Sequence, residues 1–154
     1  MAIIWIMQEG VFCRMRKSVK VFSVAIILVA AGLVYAWPYV QMEFSETAHY
    51  TEQERRAYKF YTPDILRDMP RISTRYDFSF ANIAGPDQHV HTVRFYGTRD
   101  TQKIDSYLIS KAYHKQPTCD ISATCWKGAD PIETIYVGTL TGENTVIVQV
   151  AYDF

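Results

Sequence analysis

Hydrophobic and polar positions recur along this chain with different periods, and each period predicts a different element. Residues 21–40, VFSVAIILVAAGLVYAWPYV, have no period and no charge. As a helix such a segment rises about 30 Å, the thickness of a bilayer's hydrocarbon core. Residues 41–50 are polar and irregular and read as a short stalk. A capping box, Thr51-Glu52-Gln53-Glu54, then opens a helix through ERRAYKFY, with Ala57, Phe60 and Tyr61 on one face. Thr62-Pro63-Asp64 starts a second, short helix that Pro70 stops.

The period then falls to two. Tyr76, Phe78 and Phe80 alternate with Asp77, Ser79 and Ala81, the pattern of a half-buried strand. The turn signal Gly85-Pro86-Asp87 leads into a second strand over 90–96, with Val93 and Phe95 inward. After Gly97, Asp100 or Thr101 caps a helix over 101–115, with Ile104, Tyr107, Leu108 and Ala112 on one stripe and Pro117 closing it. Two final strands, ETIYVGTL and NTVIVQVAYDF, are joined by Thr141-Gly142-Glu143-Asn144. Val146, Val148, Val150, Tyr152 and Phe154 share a face, which ties the C-terminus into the sheet. The order α-α-β-β-α-β-β predicts an α+β domain: a four-stranded, mainly antiparallel sheet with one helix packed on it.

Charge gives the apolar segment a direction. Arg14, Arg16, Lys17 and Lys20 precede it with one acid, Glu9, whereas Glu43 and Glu46 follow it and the next base is Arg55. Trp37 and Tyr39 mark the far interface. This asymmetry places the N-terminus in the cytoplasm and the rest outside. The expected layout is a basic cytoplasmic segment (1–20), a transmembrane signal anchor (21–40), the stalk (41–50) and an exported domain (51–154). Cleavage after Ala36, at Val34-Tyr35-Ala36, is the alternative and would release a soluble periplasmic protein. Met15 opens a more conventional export signal than Met1 does, so residues 1–14 read as an overextended start.

Composition narrows the partners. Aromatic residues make up 14% of the chain, which suits a small domain burying large rings and argues against disorder. The basic excess lies before the apolar segment, so the exported part is mildly acidic and has no electrostatic footprint for nucleic acid. Of the three cysteines, Cys13 falls on the cytoplasmic side, and Cys119 and Cys125 form an exported pair. In an oxidising space that pair reads as a disulfide, which would stabilise the domain by about 2 kcal/mol for so short a loop. A zinc site using His114 with His89 or His91 is the competing reading, and its spacing matches no standard pattern. No lipobox cysteine follows the apolar run.

No standard catalytic or nucleotide-binding signature occurs: no nucleophile elbow, no phosphate loop, no dinucleotide fingerprint, no H-E-x-x-H. His89 and His91 fall on one side of a strand near Asp87. They could form half of a metal site, but read first as rim histidines. His114 suits a helix C-terminus. Asp64 and Asp68 are spaced for acid–base work but have no evident nucleophile or metal, and read as a solvated face. Arg67, Arg71, Arg75, Arg94 and Arg99 could converge on an anion only if the fold gathered them. Tyr76, Phe78 and Phe80 read as core rather than as a sugar platform. The CDISATCW loop and the stretch after it, with Trp126, Lys127 and Asp130, form the candidate partner-binding surface: a pinned loop carrying an aromatic is pre-ordered for contact.

Two function classes follow. One is a non-catalytic envelope protein whose domain binds a macromolecular partner, as an accessory subunit or an inhibitor or immunity-type protein, with no cofactor and no metal. The other is a small-ligand or metal-binding protein, or an enzyme, with a site assembled from distant residues such as Asp87, His89 and His91. The format resembles that of many small bacterial envelope proteins, a likeness that carries no diagnostic motif.

Overall fold

The computed structural model describes residues 2–154 except 86, 120 and 141, with side chains described from residue 17 onward. Cys13, Arg14 and Arg16 therefore lie outside the described side chains, and Pro86 and Thr141 of the two predicted turns lie outside the described residues. The chain divides into two units, Met1–Phe44 and Ser45–Phe154.

The first unit is one helix, α1 (Ala2–Glu43), which continues through the basic cluster and past Pro38. Its stretch Lys17–Glu43 is long and apolar enough to cross a membrane or to act as an export signal. Side chains along residues 21–34 are exposed, including Val21, Ile27, Leu28 and Leu33. Such a surface is stable against lipid and unstable in water.

The second unit is an α+β domain built on one antiparallel sheet. Its strands are β1 (Thr47–Tyr50), β2 (Tyr76–Ile83), β3 (Gln88–Tyr96), β4 (His114–Lys115), β5 (Thr124–Lys127), β6 (Glu133–Leu140) and β7 (Thr145–Asp153). Their spatial order is β1-β2-β3-β7-β6-β5-β4. The helices are α2 (Arg55–Tyr61), α3 (Asp64–Arg67) and α4 (Gln102–Ser110).

The sheet has seven strands rather than the expected four. The four expected strands are present as β2, β3, β6 and β7. The additional three are short strands that extend the sheet, β1 at one edge and β5 followed by β4 at the other. β1 falls inside the expected stalk: Thr47–Tyr50 pairs with β2, and Tyr50 is buried against Phe78, its ring centroid 5.8 Å away. β5 and β4 flank the cysteine loop and extend the sheet on the other side.

The predicted helix over 101–115 also ends early. Ala112 takes a left-handed backbone (φ 63°), and the amides of Lys111, Ala112 and Tyr113 turn back onto carbonyls of residues 107–109. This closes the helix as a C-terminal cap does. His114 and Lys115 consequently belong to a strand, His114 is exposed there, and Ala112 leaves the buried stripe. Ile104 and Leu108 are fully buried as expected.

Pairing register fixes the faces, because directly opposed residues point to the same side of an antiparallel sheet. Phe78, Val93, Val148 and Val137 form one row, and Phe80, His91, Val150, Ile135 and Trp126 the next. Phe78, Val93, Val148, Val150 and Ile135 are completely buried. Tyr58 and Tyr61 of α2 lie against Phe78 and Phe80, at ring separations of 5.2 and 4.9 Å. The Tyr107 hydroxyl of α4 donates to the Ile65 carbonyl of α3 at 3.0 Å, joining the helices over this core. The opposite face carries Ser79, Val90, Thr92, Ile147 and Gln149, a mixed surface of small and polar side chains.

Candidate functional site

The residues singled out in the sequence fall at separate places. Asp64 pairs with Arg67 at 3.0 Å and Asp68 with Lys111 at 3.6 Å, all on the surface. The five arginines do not converge: Arg71 engages Glu52, Arg94 faces Asp77 at 3.9 Å, and Arg75 lies over the Tyr96 ring. Tyr76, Phe78 and Phe80 all point to the helix-covered face, with Phe78 and Phe80 buried there. Among the described residues, no group of three or more His, Cys, Asp or Glu side chains is placed to hold a metal.

Trp126 requires a correction. It is only 3% exposed and sits on β5 opposite Ile135, so its ring belongs to the core and is not presented to a partner. The strand's alternation turns Trp126 inward and sends the flanking Cys125 to the other side. Lys127 and Asp130 are exposed, and the Asp130 carboxylate accepts the Ile132 amide at 3.1 Å, a local turn contact.

His89 and His91 share a face, as their spacing predicts, and both rings lie against Phe80. The His91 Nδ1–H donates to the Tyr61 carbonyl at the end of α2. A carbonyl can only accept, so this contact fixes the tautomer. Burial lowers the His91 pKa from 6.5 to about 4, against the opposing pull of that hydrogen bond. The folded domain therefore favours the neutral ring. The stabilisation is fully present above pH 6.5 and is lost as pH falls towards 4, an effect on the order of 3 kcal/mol. Thermal unfolding followed from pH 7 to pH 4 should show wild type losing stability faster than His91→Phe. Parallel pH profiles for the two proteins would show that His91 does not drive the loss.

Two polar clusters were not visible in the sequence. Glu133 is buried on β6 and accepts the phenol of Tyr113. Tyr152 lies opposite Glu133 on β7, and burial together with this carboxylate pushes both phenols well above their ordinary range. This cluster ties the segment after α4 to the end of the sheet. The second cluster centres on Arg71, whose guanidinium bonds to Glu52, to the Tyr58 hydroxyl at 2.9 Å, and to the carbonyls of Leu66 and Met69. Members of each cluster hydrogen-bond to one another, which gives both clusters a structural part.

The disulfide joins Cys119 and Cys125, with Cα atoms 5.7 Å apart. The loop it pins forms one wall of an open groove of about 640 Å³. Arg99 and Thr101 of the β3–α4 connection also line it, with Thr124, Val137 and Thr139. Lys115 of β4 contributes a second cation. Among the described lining residues there is no histidine and no carboxylate. The nearby acids at the start of α4 are engaged locally: Asp100 accepts the Gln102 amide at 2.9 Å and Asp105 the Thr101 hydroxyl at 3.3 Å. The cysteine spacing marked one wall of this groove in advance. Arg99, Lys115 and Thr139 are too far apart in sequence for any local pattern to have joined them.

Comparison with family models, with curated proteins and with solved structures finds no match to this chain.

Proposed function

We propose that this chain is a non-catalytic, membrane-anchored envelope protein, with its N-terminus in the cytoplasm and its α+β domain exported, and that the domain binds a macromolecular partner. The observation that supports this reading best is the open groove beside the disulfide loop. It is accessible, its wall is covalently pinned, and its described lining includes hydroxyls, a carboxamide, cations and apolar side chains. A pre-ordered surface of this kind loses little conformational entropy on contact. The basic cluster before the apolar helix and the acids after it support the orientation. An accessory subunit of a membrane complex, or an inhibitor or immunity-type protein, fits a chain that combines a membrane tether with a domain presenting a contact surface.

The test is site-specific photo-crosslinking of the full chain in its native membrane. A photoreactive residue at Ser122, exposed on the disulfide loop, is expected to give a discrete protein adduct. The same residue at Ser106, exposed on α4, is expected to give none. Absence of an adduct at Ser122, or equal adducts at both positions, would count against a partner bound at this groove.

A further inference from the structure

The groove lies where the sheet runs out of strands. β6 pairs with β7 along its whole length, Glu133 opposite Tyr152 through Leu140 opposite Thr145. On its other side β5 begins only at Thr124, opposite Val137. Beside Gly138 the loop still runs, a Cβ built there falling 3.5 Å from the Ala123 Cβ, so among the described residues the stretch of β6 without a neighbour on that side is Thr139 and Leu140. The chain leaves the ladder before Thr124, where the Ala123 amide turns back onto the Ile121 carbonyl at 2.7 Å within the loop closed by the disulfide. Backbone donors and acceptors at such an edge can pair with an added extended segment.

Charge selects the segment. Arg99 and Lys115 line the groove, both are exposed, and neither has an ion-pair partner among the described residues. Thr124 and Thr139 add hydroxyls suited to carboxylate oxygens, while the Thr101 hydroxyl is already given to Asp105. Asp120, in the disulfide loop, lies outside the described residues.

We propose that the groove takes an extended acidic segment of the partner protein, laid along the free edge of β6 with its carboxylates towards Arg99 and Lys115. This rests on the partner-binding reading above and specifies the chemistry of that partner. The cations would provide selection and register, and the strand edge the sequence-independent contact.

The test uses the full chain in detergent and two fluorescent capped octapeptides, one alternating Glu and Val and the other Lys and Val, followed by anisotropy. The acidic peptide is expected to bind at least about tenfold more tightly than the basic one at low salt, with the difference shrinking as salt is raised. The double variant R99E/K115E should reverse the preference. Should it fail to fold, R99Q/K115Q is expected to abolish the preference without reversing it. No binding of the acidic peptide, equal binding of both peptides, or an unchanged preference in the folded variants would overturn the proposal. The cross-link at Ser122 separates this outcome from failure of the broader reading. An adduct that persists in R99E/K115E would overturn the acidic segment and leave a partner at the groove, whereas no adduct in either background would remove the partner itself.

Discussion

Deleting residues 150–154 is expected to leave the α+β domain without a cooperative unfolding transition. These residues end β7, which lies between β3 and β6 near the middle of the sheet. Their loss removes the pairs of Val150, Ala151 and Tyr152 with His91, Val90 and His89 on one side, and with Ile135, Thr134 and Glu133 on the other. It also exposes the site of Val150, which is completely buried, and removes Tyr152 from its place opposite Glu133. Burying one such aliphatic side chain is worth about 2 kcal/mol, and each lost ladder bond costs about 1 kcal/mol. The sum is comparable to the whole stability of a small domain, about 5–15 kcal/mol. Limited proteolysis of the full chain in detergent measures this directly. The truncated domain should be degraded where wild type resists, and equal resistance would show that β7 does not need its C-terminal half.

Arg71→Ala is expected to destabilise the domain by about 3 kcal/mol, because it leaves a carboxylate and several carbonyls without their donor. Arg71 connects elements that are otherwise weakly joined. It reaches Glu52 before α2, Tyr58 within α2, and the carbonyls of Leu66 and Met69 around α3, while its guanidinium lies 5.3 Å from the Tyr76 and Phe78 ring centres. Arg71→Lys should recover only part of the loss, since an ammonium cannot reproduce the planar fork. The pair also sets an acid limit. Partial burial raises the Glu52 pKa, but hydrogen bonds from Arg71 and Tyr76 outweigh it and hold the carboxyl below its ordinary range. The contribution of Glu52 is present above its unfolded pKa and lost as pH falls through the lowered one. Chemical denaturation at neutral pH measures the cost of each variant, and an Arg71→Ala protein as stable as wild type would show that the cluster contributes nothing.

The elements legible in the sequence were those long enough to display a period. β2, β3, β6 and β7 each have eight or nine residues, enough for alternation to register. β1, β4 and β5 have four, two and four residues, and only their partners define them as strands. Thr47–Tyr50 resembled a stalk for that reason, and His114–Lys115 the end of a helix. The capping box was half legible. The Glu54 carboxylate accepts the Thr51 amide at 2.9 Å as the motif predicts, but α2 begins only at Arg55 and Glu52 is drawn away to Arg71 and Tyr76. Trp126 could not be placed from sequence because its burial depends on β5 pairing with Ile135. The disulfide was legible because the two cysteines after the apolar segment leave one pairing. The groove beside it was not, because its cations come from the β3–α4 connection and from an edge strand of two residues.

The central claim is that the apolar helix delivers the α+β domain to an oxidising space, where its pinned loop forms one wall of a binding groove. Thiol labelling of Cys119 and Cys125 in the full chain tests this most directly. Intact cells are lysed under denaturing, non-reducing conditions, so that the redox state set by the compartment is preserved. The account predicts that both cysteines resist labelling until a reductant is added. Free thiols at both positions would contradict it, by placing the domain in a reducing compartment and leaving the loop without its pin.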